Sequence, residues 1–127
     1  MSLCPFCTLP AERIIHTSQH GVFIRDGYPI SPGHTLVIPR RHVDSFFNLT
    51  ADEKLDLLGL LEIAKVGVES EFKPDSYNVG INDGPAAGQT VPHLHIHLIP
   101  RYTGDVPDAR GGVRWIIPGK ADYWTKR

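Results

Sequence analysis

The sequence predicts an α+β fold: an antiparallel β-sheet meander with one long amphipathic helix packed on one face. Three observations carry this. Segments with strand character outnumber those with helical character, and the turns between them are short, which favours antiparallel neighbours. Only one stretch, at about 51–72, combines a helical apolar period with a start and a stop signal. Length sets the scale, since 127 residues with 41% hydrophobic composition suit one domain and leave no room for a second of ordinary size.

Along the chain, Cys4-Pro5-Phe6-Cys7 with Pro10 close behind reads as a knuckle. Gly21-Val22-Phe23-Ile24-Arg25-Asp26 reads as a strand ended by Gly27. Pro29-Ile30-Ser31-Pro32-Gly33 cannot continue a ladder because each proline removes a backbone donor, so a fixed loop is expected. His34-Thr35-Leu36-Val37-Ile38 forms the next strand. Thr50 with Glu53 is a capping box, and Leu55, Leu58, Leu61, Ala64 or Lys65, Val68 and Phe72 form the helical stripe expected to cover the sheet. Pro74 ends the helix, and residues 76–81 alternate as a half-buried strand. Residues 82–89 form a loop, residues 91–99 a strand, and the segment 110–119 a short strand between glycine turns. Met1-Ser2-Leu3 enters no motif and is read as in part an expression remnant.

Charge and cysteine usage exclude whole classes. Thirteen lysines and arginines against 14 aspartates and glutamates leave a formal charge of −1, so nothing favours a nucleic acid or an anionic membrane as partner. No apolar run approaches the roughly 18 residues of a membrane span. Two cysteines are too few for a secreted disulfide scaffold and point to a reducing, cytoplasmic location.

The feature that demands chemistry is His93-Leu94-His95-Ile96-His97. Period-two alternation puts three imidazoles on one face and the aliphatic residues on the other, and a row of imidazoles has no packing advantage over Val or Thr. Two chemistries suit it: metal ligation, or attack of an imidazole on phosphorus with its neighbours orienting it and neutralising phosphate charge. Attack needs a neutral ring whose other nitrogen carries the proton, a tautomer that a bond to a backbone carbonyl fixes. Gly88 would let backbone N–H groups approach phosphate oxygens.

Cys4 and Cys7 fit metal better than redox chemistry, because no helix follows the motif as it does in thioredoxin-type pairs. A closed tetrahedral site needs two further ligands, for which His42 and His93 are the candidates. Their spacing, Cys-x2-Cys-x34-His-x50-His, is far from the roughly 12-residue gap of a DNA-reading finger.

The run His93-Leu94-His95-Ile96-His97-Leu98-Ile99, preceded by Gly88-Gln89-Thr90-Val91 and upstream by residues 32–39, Pro-Gly-His-Thr-Leu-Val-Ile-Pro, resembles the histidine triad nucleotide hydrolases and transferases. The Gly-Gln-Thr-Val form and Pro100-Arg101 are most similar to the fragile-histidine-triad and bacterial dinucleoside polyphosphate hydrolase branch. The resemblance covers nearly the whole chain and implies a single domain of this family over 1–127. It implies His95 as the nucleophile on the α-phosphorus and His97 as the partner at the phosphate and bridging oxygen. Asn82, Gly88, Gln89 and Thr90 match positions that hold non-bridging oxygens or assist the leaving group. Asp26 matches the ribose position, where the fragile-histidine-triad branch usually carries asparagine and the other large branch aspartate. The ligand set Cys4, Cys7, His42 and His93 is similar to that of zinc-bearing members of the superfamily, including galactose-1-phosphate uridylyltransferase, and implies a structural zinc; a polyphosphate substrate would bring magnesium. The implied assembly is a homodimer, with Trp115, Tyr123 and Trp124 as an apolar patch.

Weaker expectations complete the reading. His34 serves its own loop and strand, while His16 and His20 are surface residues. Phe23, Ile24 and Ile15 are equally base-slot or core residues, and Arg101, Arg110, Arg114 and Lys120 are outer-phosphate contacts or a solvated face. Two functions compete with a nucleotidyl hydrolase: a nucleotide-binding interaction protein with slow hydrolysis, and a metalloenzyme using His93, His95 and His97, which leaves the cysteines unexplained.

Overall fold

A computed structural model describes residues 4–125, so Met1-Ser2-Leu3 lies outside the described residues. Strands β1 (Ile14–Thr17), β2 (Gly21–Arg25), β3 (Thr35–Pro39), β4 (Ser76–Ile81) and β5 (Ile96–Arg101) make one sheet, with helix α1 (Ala51–Phe72) between β3 and β4. The order is β1-β2-β3-β5-β4, and every pair is antiparallel. The meander runs through β1-β2-β3, α1 crosses over, and β5 returns between β3 and β4. That return makes β5 central and lays its side chains beside β3.

The capping box forms as expected: Thr50 Oγ1 accepts from Glu53 N–H at 3.1 Å, and Glu53 Oε1 accepts from Thr50 N–H at 2.8 Å. Lys73, at φ 52, closes the helix in the left-handed conformation before Pro74. The stripe facing the sheet differs in phase from the expected one. Leu57, Leu60, Ala64 and Val68 are buried, whereas Leu55 is 70% and Leu58 49% exposed. Apolar residues stand on both sides of α1, so period alone does not choose the buried side; close approach to β2 does. A side chain at Gly21 would meet Leu57 Cδ2 at 2.5 Å and Leu60 Cδ1 at 2.8 Å. Glu53 is buried on the same face and held by a two-pronged ion pair to Arg41, with both N–O distances 2.9 Å.

Two apolar layers flank the sheet. Phe23, Val37, Leu94, Ile96 and Leu98 pack against α1, while Val22, Ile24, Leu36 and Ile38 cover the opposite face with Phe6, Leu9 and Ile14. Each full methyl-bearing side chain in these layers removes enough apolar surface to contribute about 1.5–3 kcal/mol. Asp56 ties the β1–β2 hairpin to α1 by accepting from the Ser18 hydroxyl and from His20 N–H.

Three other elements depart from expectation. β1 had no alternation to betray it, because it is an edge strand with three of its four residues exposed. The histidine segment enters the sheet only at Ile96, after His93 and His95. The expected strand in 110–119 is instead a 3-10 helix, Gly112–Ile116, followed by a short helix, Pro118–Ala121. Gly111 and Gly112, at φ 91 and φ 47, turn the chain before a ladder can start.

Candidate functional site

The open face of β3, β5 and β4 floors a cavity of about 1240 Å³, into which His95 and His97 project. Leu94, Ile96 and Leu98 anchor β5 against α1, so alternation delivers the imidazoles to the opposite face. Two hydrogen bonds then set the His95 and His97 rings. His95 Nδ1–H donates to His93 O at 2.9 Å, which leaves the Nε2 lone pair free toward the cavity. For His97, the tautomer follows from a chain of contacts. Ile30 N–H donates to His34 Nδ1 at 3.2 Å, so His34 carries its proton on Nε2, and that nitrogen lies 2.9 Å from His97 Nδ1. His97 Nδ1 therefore accepts, and its Nε2–H is left as a donor.

Electrostatics keep this pair neutral at pH 7. Burial pushes His97 down to about 4, aided by the neighbouring His95 and His34. Burial also lowers His34, opposed by Asp26, whose Oδ2 lies 3.4 Å from His34 Nε2. His34 was expected only to support its loop. It does so through Ile30, but its other nitrogen reaches the site; that role depends on β3 and β5 being neighbours, which local sequence does not reveal.

The remaining expected residues divide. Asp26, Asn82, Gly88 and Thr90 line the cavity with His95 and His97. Gln89 does not. Its Oε1 accepts from Gly84 N–H at 2.8 Å, and its Nε2 donates to Asp44 O at 2.9 Å and Val91 O at 3.1 Å, so the amide braces the loop. Nor is the Gly88 N–H directed to a ligand: it donates to Pro85 O at 3.0 Å, and φ 93 is what this position asks of a glycine. The arginines considered for outer phosphates are engaged too: Arg101 by Asp105, Arg110 by Asp108, and Arg114 by the carbonyls of Lys120 and Ala121. Ile15, Phe23 and Ile24 are absent from the cavity wall, whose apolar part on that side is Pro5, Phe6, Tyr28, Ile30 and Leu36. His16 is exposed and stacks on Phe23, while His20 is half-buried.

Cys4, Cys7, His42 and His93 converge, with one ligand atom each within 4.8 Å of the others. His93 Nε2–H donates to Pro39 O at 2.8 Å, so its Nδ1 carries a lone pair. That lone pair faces Cys4 Sγ at 3.4 Å, Cys7 Sγ at 3.5 Å and His42 Nδ1 at 3.2 Å, and Cys7 Sγ lies 3.1 Å from His42 Nδ1. Bonds of about 2.3 Å to sulfur and about 2.0–2.1 Å to nitrogen place neighbouring ligands of a tetrahedral zinc roughly 3.3–3.8 Å apart. The donor set and its spacings therefore fit a closed metal site with no place left for water. Between its two cysteines, the knuckle carries Phe6, whose ring lies 5.9 Å from His93 and 5.1 Å from His95, edge-on to both.

The HIT domain family model matches residues 9–104. A bis(5'-adenosyl)-triphosphatase of Saccharomyces cerevisiae is 38% identical over 118 residues, 91% of this chain and 54% of that protein. The bifunctional bis(5'-adenosyl)-triphosphatase/adenylylsulfatase FHIT of Arabidopsis thaliana is 52% identical over 79 residues, 61% of this chain and 43% of that one. The chain thus spans about half the length of the curated relatives it matches. Among solved structures, a Zn-bound histidine triad family protein from Mycobacterium smegmatis superposes with a TM-score of 0.71 and 35% identity, over 83% of this chain and 84% of that one. The matched family model, these identities and the shared fold together place the chain in the HIT domain family.

Proposed function

We propose that this chain cleaves a nucleoside phosphoanhydride, with dinucleoside polyphosphates the leading substrates, at the α-phosphorus through a nucleotidyl intermediate on His95. The observation that carries the reading is the opposed orientation of two rings. His95 presents an unprotonated Nε2, and His97 beside it presents Nε2–H. In the first step the His95 lone pair forms an N–P bond while the P–O bond to the polyphosphate breaks. The departing oxygen keeps the electron pair and leaves as part of a polyphosphate anion, steadied by a hydrogen bond from the neutral His97 Nε2–H, which keeps its proton. Water then attacks phosphorus, the N–P bond breaks, and His95 recovers its lone pair as the nucleoside monophosphate leaves, the water's proton passing through that phosphate to solvent. Covalent relay divides one hard hydrolysis into two easier steps. A phosphoramidate follows the same route once its bridging nitrogen has taken a proton from solvent, so that a neutral amine leaves with the electron pair of the P–N bond.

In this scheme Asp26 meets the ribose hydroxyls, and Asn82 and Thr90 meet non-bridging oxygens. Gly88 shapes the loop, while Gln89 serves by bracing that loop. The names of the Saccharomyces and Arabidopsis relatives support the substrate class. Zinc is the occupant that the thiolate-rich donor set at Cys4, Cys7, His42 and His93 favours, with a structural role. Magnesium would accompany the polyphosphate. The exposed stripe of Leu55, Ile63 and Val66 on α1 supports a homodimer, and two cysteines outside any disulfide support a cytoplasmic location. Among the described residues no helix is long and apolar enough to cross a membrane.

The test is a substrate panel of diadenosine triphosphate, diadenosine tetraphosphate and an adenosine phosphoramidate, with and without orthophosphate, with products identified. Release of AMP, or of ADP when orthophosphate is the acceptor, is expected. Products cut at any phosphorus other than the α would contradict the assignment.

A further inference from the structure

We infer that the cavity contains a second nucleoside subsite, walled by the 3-10 segment Gly112–Ile116, which holds the base of the leaving nucleotide by stacking on Trp115. The inference rests on the dinucleoside reading above. About 1240 Å³ exceeds the roughly 300–1,000 Å³ of an ordinary small-ligand pocket, so one nucleotide leaves much of it unfilled. The unfilled part has a definite place. Strand pairing aligns Leu36, His97 and Gly80 across the open face, and Asn78 opposite Ile99 in a neighbouring row. Gly80 contributes no side chain, and a Cβ there would meet nothing within 4 Å, so the floor beyond His97 is open on the β4 side. Asp26, Phe6 and Tyr28 line the cavity from the β2–β3 side, and Val113, Trp115 and Ile116 line it from the other.

The chemistry of this second lobe selects a neutral planar ligand. Trp115 is 45% exposed, yet its indole N–H is already spent on Arg110 O at 2.7 Å. What remains on offer is an aromatic face, fixed in orientation. The segment behind it is braced by Arg114, which donates to the carbonyls of Lys120 and Ala121 and lies over the Tyr123 ring. Arg101, the cation on this side, is neutralised by two bonds to Asp105 and also donates to Asn78 Oδ1 at 2.7 Å. That contact leaves Asn78 Nδ2 as a donor, close enough to the strap that a side chain at Gly112 would meet it at 3.4 Å. Among the described residues that line this lobe the cation is Arg101, whose charge is met by Asp105, so an apolar wall with one amide donor matches the face and edge of a nucleobase.

The test compares kcat/KM for diadenosine tetraphosphate with that for an adenosine phosphoramidate, whose leaving group carries no base, in wild type, Trp115→Ala and Trp115→Phe. The expected result is a drop of about tenfold in the dinucleoside-to-phosphoramidate ratio for Trp115→Ala, mainly through KM, with most of it restored in Trp115→Phe. An unchanged ratio overturns the subsite alone, as does a change in oligomeric state on gel filtration without a change in ratio, which would assign the patch to a second copy. Wild-type protein that cleaves the phosphoramidate and neither dinucleoside contradicts the substrate reading, and the subsite falls with it.

Discussion

His34 Nε2 and His97 Nδ1 meet at 2.9 Å across the β3–β5 pair. The contact fixes the His97 tautomer from a residue that itself touches no reacting atom in the proposed scheme. Replacing His34 by Phe removes the donor and leaves the His97 ring free to hold its proton on either nitrogen. A loss of about 10- to 100-fold in kcat follows, the scale of one lost buried hydrogen bond. His34→Gln, which retains an N–H, restores part of it. Steady-state rates beside melting curves check this, and a rate loss matched by a proportionate loss of folded protein would contradict it.

Acid lability should draw on His97. The folded ring has a pKa of about 4, against 6.5 for the free side chain. Between those values the unfolded chain binds a proton that the folded chain does not. The His97 contribution to stability is therefore complete above about 6.5, declines as pH falls, and is gone below about 4. Urea unfolding from pH 7 to pH 4 measures it, and a His97→Asn variant is expected to lose stability less steeply over that window.

Glu53 governs a lower window. The Arg41 guanidinium first, then Thr50, hold its carboxyl down to about 2. Its contribution is present above the ordinary value of 4.5 and is lost as pH falls through about 2. Glu53→Gln is expected to cost about 1–3 kcal/mol at pH 7, because it weakens a charge-assisted pair and the cap of α1 together. Chemical denaturation at pH 7 and pH 3 checks both magnitude and window.

Much of this was legible in the sequence where chemistry and periodicity coincide. Alternation around His95 gave the open face, Thr50 and Glu53 the helix start, and the Cys4–Cys7 pair with His42 and His93 a cluster that could hold a metal. What escaped needed tertiary neighbours. The buried side of α1 is chosen by Gly21, not by α1's own pattern, and the His34–His97 contact exists only because β5 returns beside β3. Gln89 matches a phosphate-side position in the sequence, and only the fold reveals that its amide also holds three backbone groups.

Metal removal should act on stability ahead of chemistry. Cys4→Ser with Cys7→Ser, or a strong chelator, is expected to lower the melting temperature by about 10 °C or more, since structural zinc contributes folding energy directly and each kcal/mol moves Tm by several degrees. Turnover per folded molecule falls less. Elemental analysis should find one zinc per chain; full stability in chelator with no metal present would contradict the site.

Phe6 joins that knuckle to the site, with its ring 5.1 Å from His95. Phe6→Ala is expected to lower kcat several-fold through loss of an edge contact of about 0.5–1.5 kcal/mol, and Phe6→Leu less.

The proposed route turns on a covalent bond between His95 Nε2 and phosphorus. Mixing protein and diadenosine triphosphate for milliseconds, quenching in alkali, and mapping the adduct by mass spectrometry reads that bond itself. The expected product is an adenylyl group on His95, formed in a burst equal to the active sites and absent from His95→Ala. An adduct on another residue, or a freshly purified His95→Ala protein turning over at the wild-type rate, would contradict it.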